Sequence, residues 1–86
     1  MTDNEIIERI NSSLAEEFEF ALGDMTADTT LFEDMGLDSL DVVDLVIVLE
    51  TAFSIKIREE EAIRKIRTLG DIYSFVISKK RQLESA

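Results

Sequence analysis

Apolar residues near the start of the chain recur at helical intervals. Ile6, Ile7, Ile10 and Leu14 share one face, with Phe18 a turn further on. Thr2 followed three residues later by Glu5 forms a capping-box pattern, so the spacing predicts a first helix over about residues 3–17. Phe18, Phe20 and Leu22 then alternate with Glu19 and Ala21. Alternation suits a short strand, but no second strand pattern lies nearby, so a last helical turn or an ordered loop is expected. Between Gly23 and Asp38 the turn formers Gly23, Asp24, Asp28, Thr29, Thr30 and Gly36 dominate. Met25, Leu31, Phe32 and Leu37 punctuate them, which predicts a long loop pinned to the core by these four side chains. Loops of such length inside compact domains are commonly functional.

A second helix is expected from Asp38 or Ser39 to about Phe53. Asp38 can cap its first turn, and Asp41 and Asp44 lie near its positive end. Val42, Leu45, Val46, Leu49 and Phe53 make one core-facing stripe. Leu40, Val43 and Ile47 fall on an adjoining face, which needs either other helices or an external partner. Ser54–Arg58 reads as an extended connector, followed by a short helix over Glu59–Lys65 with acids in its first turn and bases in its last. Thr68 and Asp71 form another capping-box pattern, opening a last helix with Leu69, Ile72, Tyr73, Val76 and Leu83 as its buried stripe. The pattern as a whole is all-α: one domain over residues 1–86, a small four-helix bundle with three longer helices, one short one and a long loop between the first two. The tail from about residue 79 to residue 86 is expected to fray.

The composition narrows the chemistry. The 86 residues include no Cys and no His, which excludes a disulfide scaffold, a thiolate nucleophile, an imidazole base and the usual zinc site. A hydrophobic fraction of 45% argues for a folded chain. No apolar run approaches the roughly 20 residues that span a bilayer, and the acidic N-terminus does not resemble a signal peptide, so a soluble cytoplasmic monomer is expected. The net charge of −10 is unevenly spread: residues 1–53 hold 14 acids and one base, Arg9, whereas residues 54–86 sum to +3. The acidic part would repel nucleic acid. Its acids gather around one turn, which favours docking with basic partners over a role in solubility alone.

That turn holds Ser39. A serine there can cap the helix, and it can also be modified; the two readings coexist if Asp38 does the capping. As a catalytic nucleophile Ser39 has no histidine base, and Lys56 and Lys65 are unsupported substitutes. A second class of reading is an acidic adaptor or divalent-cation binder built on Asp34, Asp38, Asp41 and Asp44, although the EF-hand spacing is missing and no metal site is assigned.

The run Asp28-Thr29-Thr30-Leu31-Phe32-Glu33-Asp34-Met35-Gly36-Leu37-Asp38-Ser39-Leu40 resembles the signature of the acyl carrier proteins, and Asp41 to Phe53 resembles their acidic second helix. The resemblance runs in order over nearly the whole chain. It implies a non-enzymatic carrier in fatty-acid, specialised lipid or polyketide synthesis. Ser39 would bear 4′-phosphopantetheine, transferred from coenzyme A by a phosphopantetheinyl transferase, and the arm's thiol would hold acyl groups as thioesters. Glu33, Asp34, Asp38, Asp41, Asp44 and Glu50 would meet basic patches on that transferase and on acyl-processing enzymes, with Leu40, Val43 and Ile47 supplying apolar contacts. An acyl chain would shelter among Leu45, Val46, Leu49, Phe53, Ile57, Ile63 and Ile66, residues that plain core packing explains equally. Phe18, Phe20, Phe32 and Phe75 read as core. Against the family pattern, Thr51 and Ala52 end the acidic stripe early, Arg58 stands where proline is common, and Glu19 replaces a frequent glycine. Arg58, Arg64, Lys65 and Arg67 make the following region basic, without an assigned role.

Overall fold

A computed structural model of the chain describes residues 2–57 and 66–85. Among the described residues, three α-helices carry the architecture: α1 (Asp3–Phe18), α2 (Ser39–Phe53) and α3 (Leu69–Ser85), with a single 3-10 turn at Leu22–Asp24. The class is the expected all-α bundle. The short helix expected over Glu59–Lys65 lies outside the described residues, as do Arg58, Ile63, Arg64 and Lys65.

Each helix starts where a side chain satisfies its free amides. The Thr2 hydroxyl accepts from the Glu5 amide while Glu5 Oε1 accepts from the Thr2 amide. Thr68 and Asp71 repeat this arrangement at α3, where Asp71 Oδ2 also accepts from the Arg67 amide. α1 and α2 both stop on a left-handed residue, Glu19 and Ser54, each at φ 53°. That conformation costs a residue with a Cβ about 1–2 kcal/mol.

Ile6, Ile10 and Leu14 of α1, Leu45, Val46, Leu49 and Phe53 of α2, and Leu69, Ile72, Tyr73 and Val76 of α3 form one buried cluster. The connector is non-helical as expected, and its Ile55 and Ile57 are buried in this cluster. Polar contacts also join the helices. The Tyr73 hydroxyl donates to Asn11 Oδ1 at 2.6 Å, joining α3 to α1. Arg9, the sole base of the first 53 residues, donates to the Ala52 carbonyl at 3.1 Å, where the last turn of α2 presents its negative end.

One expectation on α3 needs correction. Leu83 belongs to no buried stripe; it lies on the exposed side of α3, 14 residues past the helix start, beyond the reach of the core. Helical geometry continues to Ser85. As expected, the alternation over residues 18–22 makes no strand: Phe18 and Phe20 pack half-buried on the core while Leu22 opens the 3-10 turn, exposed.

The long loop is held by backbone. Leu31 N–H donates to the Arg67 carbonyl, Leu69 N–H to the Thr29 carbonyl and Gly70 N–H to the Ala27 carbonyl, at 2.9–3.0 Å. Thr30 and Thr68 face each other in an isolated antiparallel bridge. Thr29, buried, completes the clamp by donating its hydroxyl to the Asp24 carbonyl and accepting from the Thr26 amide. Met25, Leu31 and Leu37 anchor the loop in the core as expected, but Phe32 does not: it is 47% exposed.

Candidate functional site

The loop delivers the chain to α2 through two local devices. Thr30 and Asp34 close a turn reciprocally, Asp34 Oδ2 accepting from the Thr30 amide and the Thr30 hydroxyl from the Asp34 amide. Gly36 then takes φ +68°, a conformation only glycine adopts freely, and reverses the chain into α2. Beyond it, Leu37 N–H donates to the Leu31 carbonyl at 2.9 Å, so the two ends of the turn lie side by side.

Asp38 is the N-cap of α2. Its Oδ1 accepts from the Asp41 amide at 2.9 Å, and Asp41 Oδ2 accepts from the Asp38 amide at 3.0 Å. The cap is thus complete without Ser39, the first helical residue, whose side chain is exposed and makes no hydrogen bond to any described residue. The expected division holds geometrically: Asp38 caps and Ser39 is left over. Asp41's half of the box was not anticipated. The pattern Asp-Ser-Leu-Asp carries it, with the shorter aspartate in the place usually given to Glu or Gln.

A phosphate diester on Ser39 suits this position. The first-turn amides of α2 have no intrahelical acceptors, and the helix dipole presents its positive end there. Ser39 itself is exposed at the first position of the helix.

The expected partner-facing residues divide by exposure. Glu33, Asp34, Asp38 and Asp44 are exposed, whereas Asp41, Val43 and Glu50 are half-buried. Leu40 is 77% and Ile47 52% exposed, so no described element covers the second apolar face of α2. Of the residues considered for an acyl shelter, Leu45, Val46, Leu49, Phe53, Ile57 and Ile66 all sit buried in the central cluster; Ile63 lies outside the described residues. Among the described residues no three potential metal ligands come together, and no helix is long and apolar enough to cross a membrane.

Residues 8–76 match the family model described as phosphopantetheine attachment site. An acyl carrier protein of Prochlorococcus marinus is 39% identical over 80 residues, covering 93% of this chain and 99% of that protein. One from Akkermansia muciniphila is 36% identical over 76 residues, 88% and 94% of the respective chains. The crystal structure of an acyl carrier protein from Thermotoga maritima superposes with a TM-score of 0.78 at 31% identity, covering 94% of this chain and 93% of that one. The chain belongs to the acyl carrier proteins, with 4′-phosphopantetheine as its covalently attached prosthetic group. Membership implies interaction with acyl-processing enzymes.

Proposed function

We propose that Ser39 is the attachment residue, and that the chain is a cytoplasmic carrier that performs no reaction itself. One observation carries the assignment. At a helix start where serine would ordinarily serve as cap, Asp38 and Asp41 satisfy each other's amides and leave the Ser39 hydroxyl exposed and unpaired among the described residues. When bound, the arm supplies a terminal thiol that holds acyl groups as thioesters. The protein's own residues supply everything around it. α2 fixes the serine at its first turn, and Asp38, Asp41 and Asp44 surround it with negative charge that rejects acidic surfaces and speeds encounter with basic ones. A free thiol of this kind stays reduced in the cytoplasm.

Glu33, Asp34, Asp38, Asp41, Asp44 and Glu50 form the acidic part of the docking surface, and Leu40, Val43 and Ile47 its apolar part. The phosphopantetheinyl transferase and the acyl-processing enzymes meet it in turn. Rim charges of this sort govern association rates more than final affinity, as suits a carrier that leaves each enzyme quickly. The pathway is fatty-acid synthesis or, in view of the early end of the acidic stripe at Thr51 and Ala52, equally a specialised lipid or polyketide route.

The test is incubation with coenzyme A and a broad-specificity phosphopantetheinyl transferase, read by intact mass. Wild type should gain a single phosphopantetheine and Ser39→Ala none. Gain by the Ser39→Ala variant would sink the assignment, as would repeated failure of folded wild type with several transferases.

A further inference from the structure

Phe32 stands apart from the other aromatic residues considered core. Phe18, Phe20 and Phe75 pack against the buried cluster, whereas Phe32 is 47% exposed beside the fully buried Leu31. It is also held where it is. The turn that carries it is closed by the Thr30–Asp34 pair, by the Met35 amide on the Thr30 carbonyl, and by the Leu31 amide on the Arg67 carbonyl.

The turn limits how far Phe32 can lie from the serine. The Leu37 amide lies 2.9 Å from the Leu31 carbonyl, Phe32 directly follows Leu31, and Ser39 is two residues beyond Leu37. Standard chain dimensions then keep the Phe32 and Ser39 Cα atoms within about 15 Å. The exposed Leu40 and Ile47 lie on the helix that Ser39 opens. The sequence around it is acidic: Glu33 and Asp34 follow it directly and Asp38 caps α2, all three exposed, and residues 10–55 contain no lysine or arginine; Arg67, whose carbonyl holds the Leu31 amide, is the base that the clamp brings to this turn.

We propose that Phe32 is the aromatic anchor of the docking surface, seating in an apolar recess rimmed by basic side chains on the phosphopantetheinyl transferase that acts at Ser39. This rests on the Ser39 reading and extends it across the loop. Interface energy concentrates in a few aromatic side chains surrounded by a polar rim. A ring on a pre-closed turn loses little freedom on docking, so more of its burial appears as affinity. The acids around it match the basic rim and exclude like-charged partners.

The experiment measures loading kinetics of Phe32→Ala, Phe32→Leu and Leu83→Ala with coenzyme A and a purified broad-specificity transferase, at low and moderate salt. Thermal melts and sedimentation of each variant accompany it. The expected result is a KM for the carrier raised about five- to tenfold in Phe32→Ala, with kcat unchanged. Phe32→Leu should recover part of the loss, Leu83→Ala should match wild type, and the melting temperatures of the Phe32 variants should stay close to wild type. A Phe32→Ala KM within twofold of wild type overturns the proposal. So does a wild-type dimer that Phe32→Ala converts to monomer with loading unchanged, which would assign the ring to a second copy of the chain. Wild type that takes up no arm overturns the Ser39 reading itself, a result distinct from loading that is indifferent to Phe32.

Discussion

Asp71 accepts the Arg67 and Thr68 amides on one carboxylate oxygen and returns a cap with the Thr68 hydroxyl. The Arg67 amide above all holds its carboxyl below the ordinary value; burial opposes this, and the Thr68 contacts and the Arg67 charge add to the lowering. A carboxyl whose folded value is lowered stabilises the fold fully above its unfolded value, and that stabilisation is lost as pH falls through the folded one. Asp71→Asn should therefore be less stable than wild type at neutral pH, and the gap should close below about pH 4. Paired thermal melts from pH 7 to pH 3 measure this; a gap that widens on acidification would contradict it. At the same scale, Asp38, Thr2 and Thr68 were readable in the sequence as caps because side chain and spacing announce them. The exposure of Phe32 was not. Inside an irregular loop there is no period from which a buried side can be told from an open one, so an aromatic residue defaults to core.

Among the elements, the three described helices were legible through their 3.6-residue apolar stripes and capping patterns. The clamp between the loop and residues 67–70 was not, because it is made by backbone groups that every residue possesses. Gly70 is the trace it leaves in the sequence. A Cβ at this second position of α3 would sit 2.9 Å from the Ala27 carbonyl oxygen and 3.3 Å from the Ala27 Cβ. Alanine should favour the helix by up to about 1 kcal/mol, but crowding against fixed backbone costs about 1–3 kcal/mol. Gly70→Ala should accordingly be destabilised by about 1 kcal/mol, with the largest amide chemical-shift changes at Leu31 and Leu69. A variant more stable than wild type would show that the loop yields freely. The second apolar face of α2 was read in outline from the sequence, which showed more apolar positions than a core requires. That Leu40 and Ile47 remain uncovered by any described element had to come from the structure.

Across the whole molecule, charge opposes the fold that burial creates. The Cα radius of gyration is 11.9 Å, close to the roughly 12 Å expected of a compact chain of this length, and within it −10 must be accommodated. The ion pair between Arg81 and Asp3, at 3.0 Å, joins the end of α3 to the start of α1, but both side chains are more than half exposed. Such a pair contributes about 0–1 kcal/mol, too little to offset general self-repulsion. Added salt should therefore raise the melting temperature, by screening the acids clustered before residue 54 more than it weakens this pair. Melts from about 20 to about 200 mM sodium chloride test it; an unchanged or falling midpoint would mean that local pairs outweigh the net charge.

The bonds between the loop and α3 also bear on time. They join residues 36 to 43 positions apart, whereas the helical bonds around them close over four. Contacts that require so long a stretch of chain to be brought round can form only after the helices have met, and stabilisation added so late acts on the rate of leaving the native state. Gly70→Ala should therefore quicken unfolding severalfold in stopped-flow denaturant jumps and leave refolding close to wild type; a slowed refolding limb would move the clamp into the rate-limiting step. The persistence of the folded carrier, more than its speed of assembly, would then depend on the stretch of backbone that leads to its serine.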